Sequence, residues 1–353
     1  MNRVFGVLFG VALASQALAG DVRYAAEGHA YNPIFSKDGK WLAYEVNSYD
    51  GGSIDMFVSS VAGAIAKDGI KVSLAGGSQF GATGQILINP TWHPAGQAIF
   101  EGSNQGGDYR LYIYQPGGGS PTELFTSAKA SGNLTFPIVT ADGNTIAFVS
   151  SATGAGDIRS WDRTKDAFGQ LTTSEHSESF PTYSADNKTL LFNRNSGGTE
   201  DVFLLDLATK TEKAFVTGGG DQTRSTFAAG GTVLYFSNER GQDAWDIMAV
   251  DAAGANKRTV AKDVRLPLRS RPTLTADGQW VSWTSNKAEL SGKVYLGKVD
   301  GTKTVEIDSG FNACGEPALA VNGGRTILAF TYLQNNGADW RKLTVLDVTD
   351  KLQ

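Results

Sequence analysis

Apolar and polar residues alternate along this chain in short runs, and the runs follow a repeating order. A first run, often opened by proline, leads into an Asp-Gly type turn and then a second, more apolar run. The second runs are apolar on both faces: Trp41-Leu42-Ala43-Tyr44, Thr145-Ile146-Ala147-Phe148-Val149, Val233-Leu234-Tyr235-Phe236 and Thr326-Ile327-Leu328-Ala329-Phe330. Strands covered on both sides by other layers read this way. A Gly/Asn/Asp-rich hairpin follows, as at 104–108, 195–201 and 335–339, then a third run such as Leu111-Tyr112-Ile113-Tyr114. The fourth run is more polar, for example Glu212-Lys213-Ala214-Phe215-Val216. No long segment carries helical periodicity, so the pattern predicts an all-β chain.

Seven copies of this unit align on Pro33, Pro90, Pro137, Pro181, Thr226, Pro272 and Pro317, at steps of 57, 47, 44, 45, 46 and 45 residues. That period is one four-stranded antiparallel blade, and residues 20–353 are expected to form a single seven-bladed β-propeller. Asp-Gly and Gly-Gly accept positive φ and so close tight hairpins. Proline gives no N–H, which suits the innermost strand, an edge facing a central channel. The seventh copy ends after its third strand, Leu343 to Val348. Val22-Arg23-Tyr24-Ala25 is therefore expected as the outer strand of the last blade, closing the ring. The long first step places about ten extra residues within Val61 to Gln85, as a loop or an added hairpin.

The pattern Pro-x-φ-Ser-x-Asp-Gly-Lys-φ-φ-φ, with φ apolar, is best kept in the first copy, Pro33-Ile34-Phe35-Ser36-Lys37-Asp38-Gly39-Lys40. With its seven copies the chain resembles the TolB-like family of WD-related propellers from Asn32 to about Val348. The resemblance implies the fold, whereas function sits in loops grafted onto it. TolB carries an α/β domain ahead of a six-bladed propeller. Here about ten residues separate a leader from the first copy, so a role in the Tol–Pal system is not carried over. Similar propellers precede a hydrolase domain in prolyl-oligopeptidase-like peptidases, and the sequence offers no such domain after Gln353. Oligogalacturonate lyases also resemble this fold, but with histidine-rich metal sites, whereas the three histidines here are scattered.

Residues 1–19 read as a signal peptide: Arg3, then the apolar run Phe5 to Ala14, then Ala17-Leu18-Ala19. The run is too short to span a membrane, and no cysteine sits at the cleavage site. A periplasmic or secreted protein is expected. Cleavage removes one base and no acid, taking the net charge from −5 to −6 and arguing against a nucleic-acid partner. Cys314 is the single cysteine, so no internal disulfide forms. It reads as a small buried hydrophobe.

Chemical motifs are sparse. Gly77-Ser78-Gln79-Phe80-Gly81 lacks the spacing of a nucleophile elbow. Three histidines and one cysteine are too few for a zinc set, and neither metal nor cofactor is expected. The loop Asp50-Gly51-Gly52-Ser53-Ile54-Asp55 does not have EF-hand spacing, and a weak Ca²⁺ site there stays open. Recurring Asp108, Asp157, Asp201, Asp246 and Asp339 read as hairpin caps. His93 belongs to a turn. Trp161, Trp245 and Trp340 lie around third strands, either wedged between blades or placed to stack on sugars.

The densest cluster falls at the entrances of the inner strands, which ring one channel mouth. Alignment on the proline position brings Arg224, Arg269 and Arg271 together there, with Arg265 upstream. Glu178 and Glu316 flank them, Asn32 and Asn89 face them, and His29 and His176 lie near the same mouth. Together these nine, without Arg265, are the candidate ligand-binding set. Arginine's planar fork suits carboxylate or phosphate. The competing reading pairs the arginines with Glu178, Glu316 and Asp221, filling the mouth. The expected function is a non-catalytic binding module for an envelope protein or peptide. The alternatives are a carbohydrate-binding or carbohydrate-active propeller, with Glu178 and Glu316 as its carboxylates, and a structural subunit of an envelope complex.

Overall fold

The repeat motif builds its own turn. In the first copy the Ser36 hydroxyl donates to Asp38 Oδ1 at 2.7 Å, while the Lys40 and Trp41 amides donate to Asp38 Oδ1 and Ser36 Oγ at 3.2 and 3.0 Å. The same pair recurs at Thr140/Asp142, Ser184/Asp186 and Thr275/Asp277. These side chains bind local backbone and hold the turn closed. Gly39 follows at φ 68°, where a Cβ would lie 2.6 Å from the Val321 carbonyl oxygen of another sheet. Gly278, at φ 67°, stands in the same relation to Ala229 N. The glycine thus meets two demands at once, a left-handed turn and a close approach between sheets.

The computed structural model describes residues 20–23, 28–48, 52–63, 65–74, 84–104, 107–152, 155–333 and 340–353. The leader expected at 1–19, the Asp50-Gly51 loop start and the 335–339 hairpin lie outside them. Among the described residues there is no α-helix, and no helix is long and apolar enough to cross a membrane.

The strands form five four-stranded antiparallel sheets and one nine-stranded sheet. Four of the small sheets follow chain order, starting from Leu134–Val139, Ser177–Tyr183, Gln222–Phe227 and Thr273–Leu274. The nine-stranded sheet joins two more such units, starting at His29–Phe35 and Gln85–Trp92, through a parallel bridge between Ile54 and Ile86. The remaining sheet combines Asn312–Asn322, Arg325–Leu333 and Lys342–Asp347 with the chain's first strand, Gly20–Asp21, which pairs with Val345 and Thr344. This N-terminal pairing begins two residues earlier than the sequence suggested. Val22 still donates to Leu343 O at 3.0 Å, but its side chain is buried with Leu343 and Val345, and there the described strand ends. Tyr24 and Ala25 lie outside the described residues.

In the long first repeat the fourth strand is laid down in two pieces, and the described residues show no further hairpin. Ser53–Ala62 turns back at Gly63 so that Ile65–Ala66 pairs with Val61 and Ala62, before Ile70–Val72 pairs beside Met56 to Val58. Residues 64 and 75–83 of this insertion lie outside the described part.

The core lies between the sheets. Leu234 and Phe236 pack with Val281 and Trp283 of the next sheet, and Leu328 and Phe330 pack with Val294 and Leu296 of the one before. Full burial of each such side chain contributes about 1.5–3 kcal/mol. This two-sided contact is why the second strands are apolar on both faces. Inner strands from His29–Phe35 to Gln222–Phe227 touch in sequence order, as do Thr273–Leu274 and Asn312–Asn322, and Asn312–Asn322 returns to touch His29–Phe35.

The seam between the last and first sheets has a polar stitch. Buried Asn322 Nδ2 donates to Gly39 O at 3.1 Å and Val61 O at 2.9 Å. Asn322→Ala orphans both carbonyls and should destabilise the fold by about 1–3 kcal/mol, measured by thermal or urea unfolding. An unchanged melting temperature would show that this seam is held elsewhere.

Candidate functional site

Six inner strands break register at a residue with positive φ: Asn32 (47°), Asn89 (51°), Phe136 (52°), Phe180 (50°), Arg224 (55°) and Glu316 (50°), and the last of them breaks a second time near Ala313 (45°). The ladder shifts at all six. An extra residue in one strand bends it in this way. The left-handed conformation costs an ordinary residue roughly 1–2 kcal/mol, less for asparagine.

Buried side chains of the preceding repeat meet three of these bends. Glu45 Oε1 accepts from the Asn89 amide at 2.9 Å, Glu101 Oε1 from the Phe136 amide at 2.6 Å, and Asn193 Oδ1 from the Arg224 amide at 2.9 Å. The same glutamate oxygens take Asn32 Nδ2 and Asn89 Nδ2, each at 2.7 Å. Side chain and backbone of the bend are thereby tied to two repeats.

The sixth repeat departs from this pattern. Its inner strand is only Thr273–Leu274, and Arg265 to Pro272 crosses the mouth without strand pairing. The Arg224 guanidinium donates to the carbonyls of Pro267, Leu268 (3.2 Å) and Ser270 (3.5 Å). Glu316 Oε1 accepts from the Leu268 amide at 2.6 Å, and Ser270 Oγ donates to Asn32 Oδ1 at 2.6 Å. Arg269 Nε lies 3.2 Å from Glu45 Oε2, an ion pair whose N–H is not aligned for a hydrogen bond. Arg271 Nη2 donates to Pro181 O at 2.7 Å.

Beside this segment lies a cavity of about 200 Å³. Its walls are Asn32, Asn89, Phe136 and Phe180 with the following residues of their strands, Pro33, Pro90, Pro137 and Ile138 among them, and Arg269 to Thr273. Phe136 and Phe180 pack at 4.6 Å between centroids, and Arg224 and Arg271 both lie over the Phe180 ring, at 5.2 and 5.6 Å. Phe180 also lines a neighbouring cleft of about 360 Å³ with Glu200, Asp221, Arg224 and Trp245.

Burial governs the titrating groups. It pushes the Glu101 carboxyl up to about 8, against the opposing amide of Phe136 and Asn89 Nδ2. Glu316 is raised to about 7, chiefly by burial, with Glu45 adding and Arg224 opposing. Glu45 is raised by burial despite Arg269. Arg271 falls to about 10 through burial and the nearby charge of Arg224.

Six of the nine candidate residues meet at this mouth: Arg224, Arg269, Arg271, Glu316, Asn32 and Asn89. Glu178 does not join them. Its carboxylate is taken by Arg194, at 2.5 and 3.0 Å, and by the Thr172 hydroxyl, because Arg194 lies opposite it on the paired strand. Asp221 accepts from the Glu200 amide and Asn238 Nδ2 instead of pairing with the arginines. His29 Nδ1 accepts from the Arg341 amide at 3.0 Å, with its ring edge-on to Trp340. His176 is exposed. Neither histidine lines the cavity. His93 joins Gly143 O and Arg163 at its turn, and Cys314 is buried beside Ser309. Trp161 packs against Phe125 and Phe168. Among the described residues no group of three His, Cys, Asp or Glu converges to hold a metal ion.

Sequence reading missed Glu45, Glu101, Asn193 and Phe180. The glutamates had a signal, a lone acid inside an apolar second strand, in Ala43-Tyr44-Glu45-Val46 and Ile99-Phe100-Glu101-Gly102. A buried acid is retained only where hydrogen bonds or charge hold it.

No protein-family model matches the sequence, and no curated protein matches it. Solved structures do. TolB from Acinetobacter baumannii is 16% identical, with 80% of this chain and 67% of that one covered at a TM-score of 0.60. An oligogalacturonate lyase from Vibrio parahaemolyticus is 11% identical, covering 97% and 96% at 0.62. The Cps50 (Swd1) β-propeller domain of Myceliophteria thermophila is 13% identical, covering 94% and 100% at 0.59. Together with the sheet order these likenesses make the fold a TolB-like β-propeller.

Glu101 gives a pH prediction. Its folded value of about 8 exceeds the ordinary 4.5, so between those limits the native state binds more protons than the unfolded chain. Stability from this group is complete below pH 4.5 and is lost as pH rises toward 8, at up to roughly 1.4 kcal/mol per pH unit. Glu45 and Glu316 act in the same direction. Glu101→Gln should flatten the decline in unfolding free energy from pH 5 to 8. An undiminished slope in that variant would rule out Glu101 as its source.

Proposed function

We propose that this chain is an exported, non-catalytic binding module whose channel mouth receives a peptide or protein partner of the cell envelope. In this reading residues 1–19 are a leader removed on export, and residues 20–353 are one propeller. It has seven blades, the nine-stranded sheet counting as two joined by the Ile54–Ile86 bridge. The pairing of Gly20–Asp21 with the last sheet supports closure of the ring by its own two ends. The leader and the apolar run within it support a periplasmic location.

One observation carries the binding reading. The mouth is walled on one side by a segment without strand pairing, and that segment presents Arg271, which has no carboxylate partner among the described residues, to a cavity with no carboxylate among its lining residues; Arg269 beside it is paired with Glu45. Structural filling alone would pair such charges, since buried charge is costly unless compensated.

A second reading has its own observation. The cleft beside Phe180 places Trp245 with Glu200 and Asp221, a combination of aromatic face and acids suited to sugars. One solved structure that shares the fold, at 11% identity, is an oligogalacturonate lyase.

A cross-linked pull-down from envelope extract separates the two. With residues 20–353 as bait, wild type should capture a protein that the Arg269→Ala/Arg271→Ala double variant loses. Retention of glycans alone, reduced by Trp245→Ala, would replace the protein-binding reading with the carbohydrate one.

A further inference from the structure

We propose that the group received by the channel is a single carboxylate, a peptide C-terminus or an acidic side chain, and that Arg271 is the residue that binds it while Arg224 serves the fold. This rests on the binding-module reading and specifies its chemistry.

The two arginines on Phe180 differ in their contacts. Arg224 spends its terminal nitrogens on three main-chain carbonyls of the crossing segment, and Glu316 and Glu200 lie within its field. It is a fastener for Arg265 to Pro272. Arg271 makes one hydrogen bond, to Pro181 O, while Nε is buried without an acceptor in both arginines. Among the described residues no carboxylate lies within ion-pair distance of it, and the one charge in its field is that of Arg224. The charge of Arg269, the other cation on the wall, is already offset by Glu45. The cavity therefore has one guanidinium charge left over, beside an apolar ring.

Size, charge and donor count select the anion. About 200 Å³ admits a carboxyl group with a short stem. One uncompensated charge matches a monoanion. The outer end of the Arg271 guanidinium, where Nη1 makes no hydrogen bond among the described residues, is a planar fork that fits the two oxygens of a carboxylate. Phosphate would need several amide donors, and four prolines of the wall, Pro33, Pro90, Pro137 and Pro272, supply none. The adjoining cleft, sharing the Phe180 wall, provides room for the remainder of a peptide.

The test uses a tripeptide of alanine with a free C-terminus, its C-terminal amide, an N-acetylated glutamate amide, and inorganic phosphate. Binding is read by isothermal titration and by melting temperature. Wild type should bind a carboxylate form at least ten-fold tighter than the amide. The free C-terminus and the glutamate side chain are compared to identify which source is preferred. Arg271→Gln should abolish that difference without lowering the melting temperature of the free protein, because an uncompensated charge has been removed. Arg271→Lys should retain part of the affinity. Arg224→Ala should lower the melting temperature of the free protein.

Three results would overturn the assignment. They are equal affinity for acid and amide, tighter binding of phosphate than of either carboxylate, or a destabilised Arg271→Gln protein with no carboxylate effect in wild type. If any of these appears while envelope capture still depends on the mouth, the binding module stands and only its carboxylate chemistry falls. If capture is also absent, both fall.

Discussion

The structure hinges on one recurring strain, the left-handed residue that bends each of six inner strands. A ladder broken at the channel leaves backbone groups that must find partners beyond their own repeat. Glu45, Glu101 and Asn193 supply those partners to Asn89, Phe136 and Arg224. Each of these repeats thus completes the next one's innermost strand. The apolar faces hold the sheets together without regard to direction, whereas these bonds fix their register around the channel. At Asn89 and Phe136 the bend and the buried acid form one device, the acid accepting the amide that the bend frees.

The fold was legible because its signals are local and repeated. The Ser-x-Asp-Gly turn, the proline at the inner strand and the two-faced apolar second strand each follow from short-range chemistry, and seven copies reinforce them. Small errors arose where contacts between distant segments decide. The described N-terminal strand starts two residues before the predicted span, and Val22 extends it by one bond to Leu343 O. The fifth copy, which lacks the proline, still bends at Arg224 because Asn193 caps the amide.

The site was half legible. Alignment on the repeat brought Arg224, Arg269, Arg271 and Glu316 to one mouth, since position in the repeat fixes height in the channel. It could not assign partners. Glu178 has the same height but is claimed by Arg194 across its own hairpin, a pairing set by strand register. His29 and His176 failed for a related reason, because nearness to an inner strand says nothing about whether a side chain faces inward. Glu45 and Glu101 were hidden by the apolar runs around them, although a charge there is itself the anomaly.

The segment Arg265 to Pro272 has a consequence for how such a protein diversifies. Every other wall of the mouth obeys strand alternation, a bend and a turn signature, and tolerates little change. This octapeptide obeys none of them, and its main chain is held largely through carbonyl and amide groups that any sequence would present. Of its side chains, Arg269, Ser270 and Arg271 reach Glu45, Asn32 and Pro181. If the mouth binds a ligand as proposed, its specificity is concentrated in one short stretch whose replacement leaves the strands of the propeller as they are.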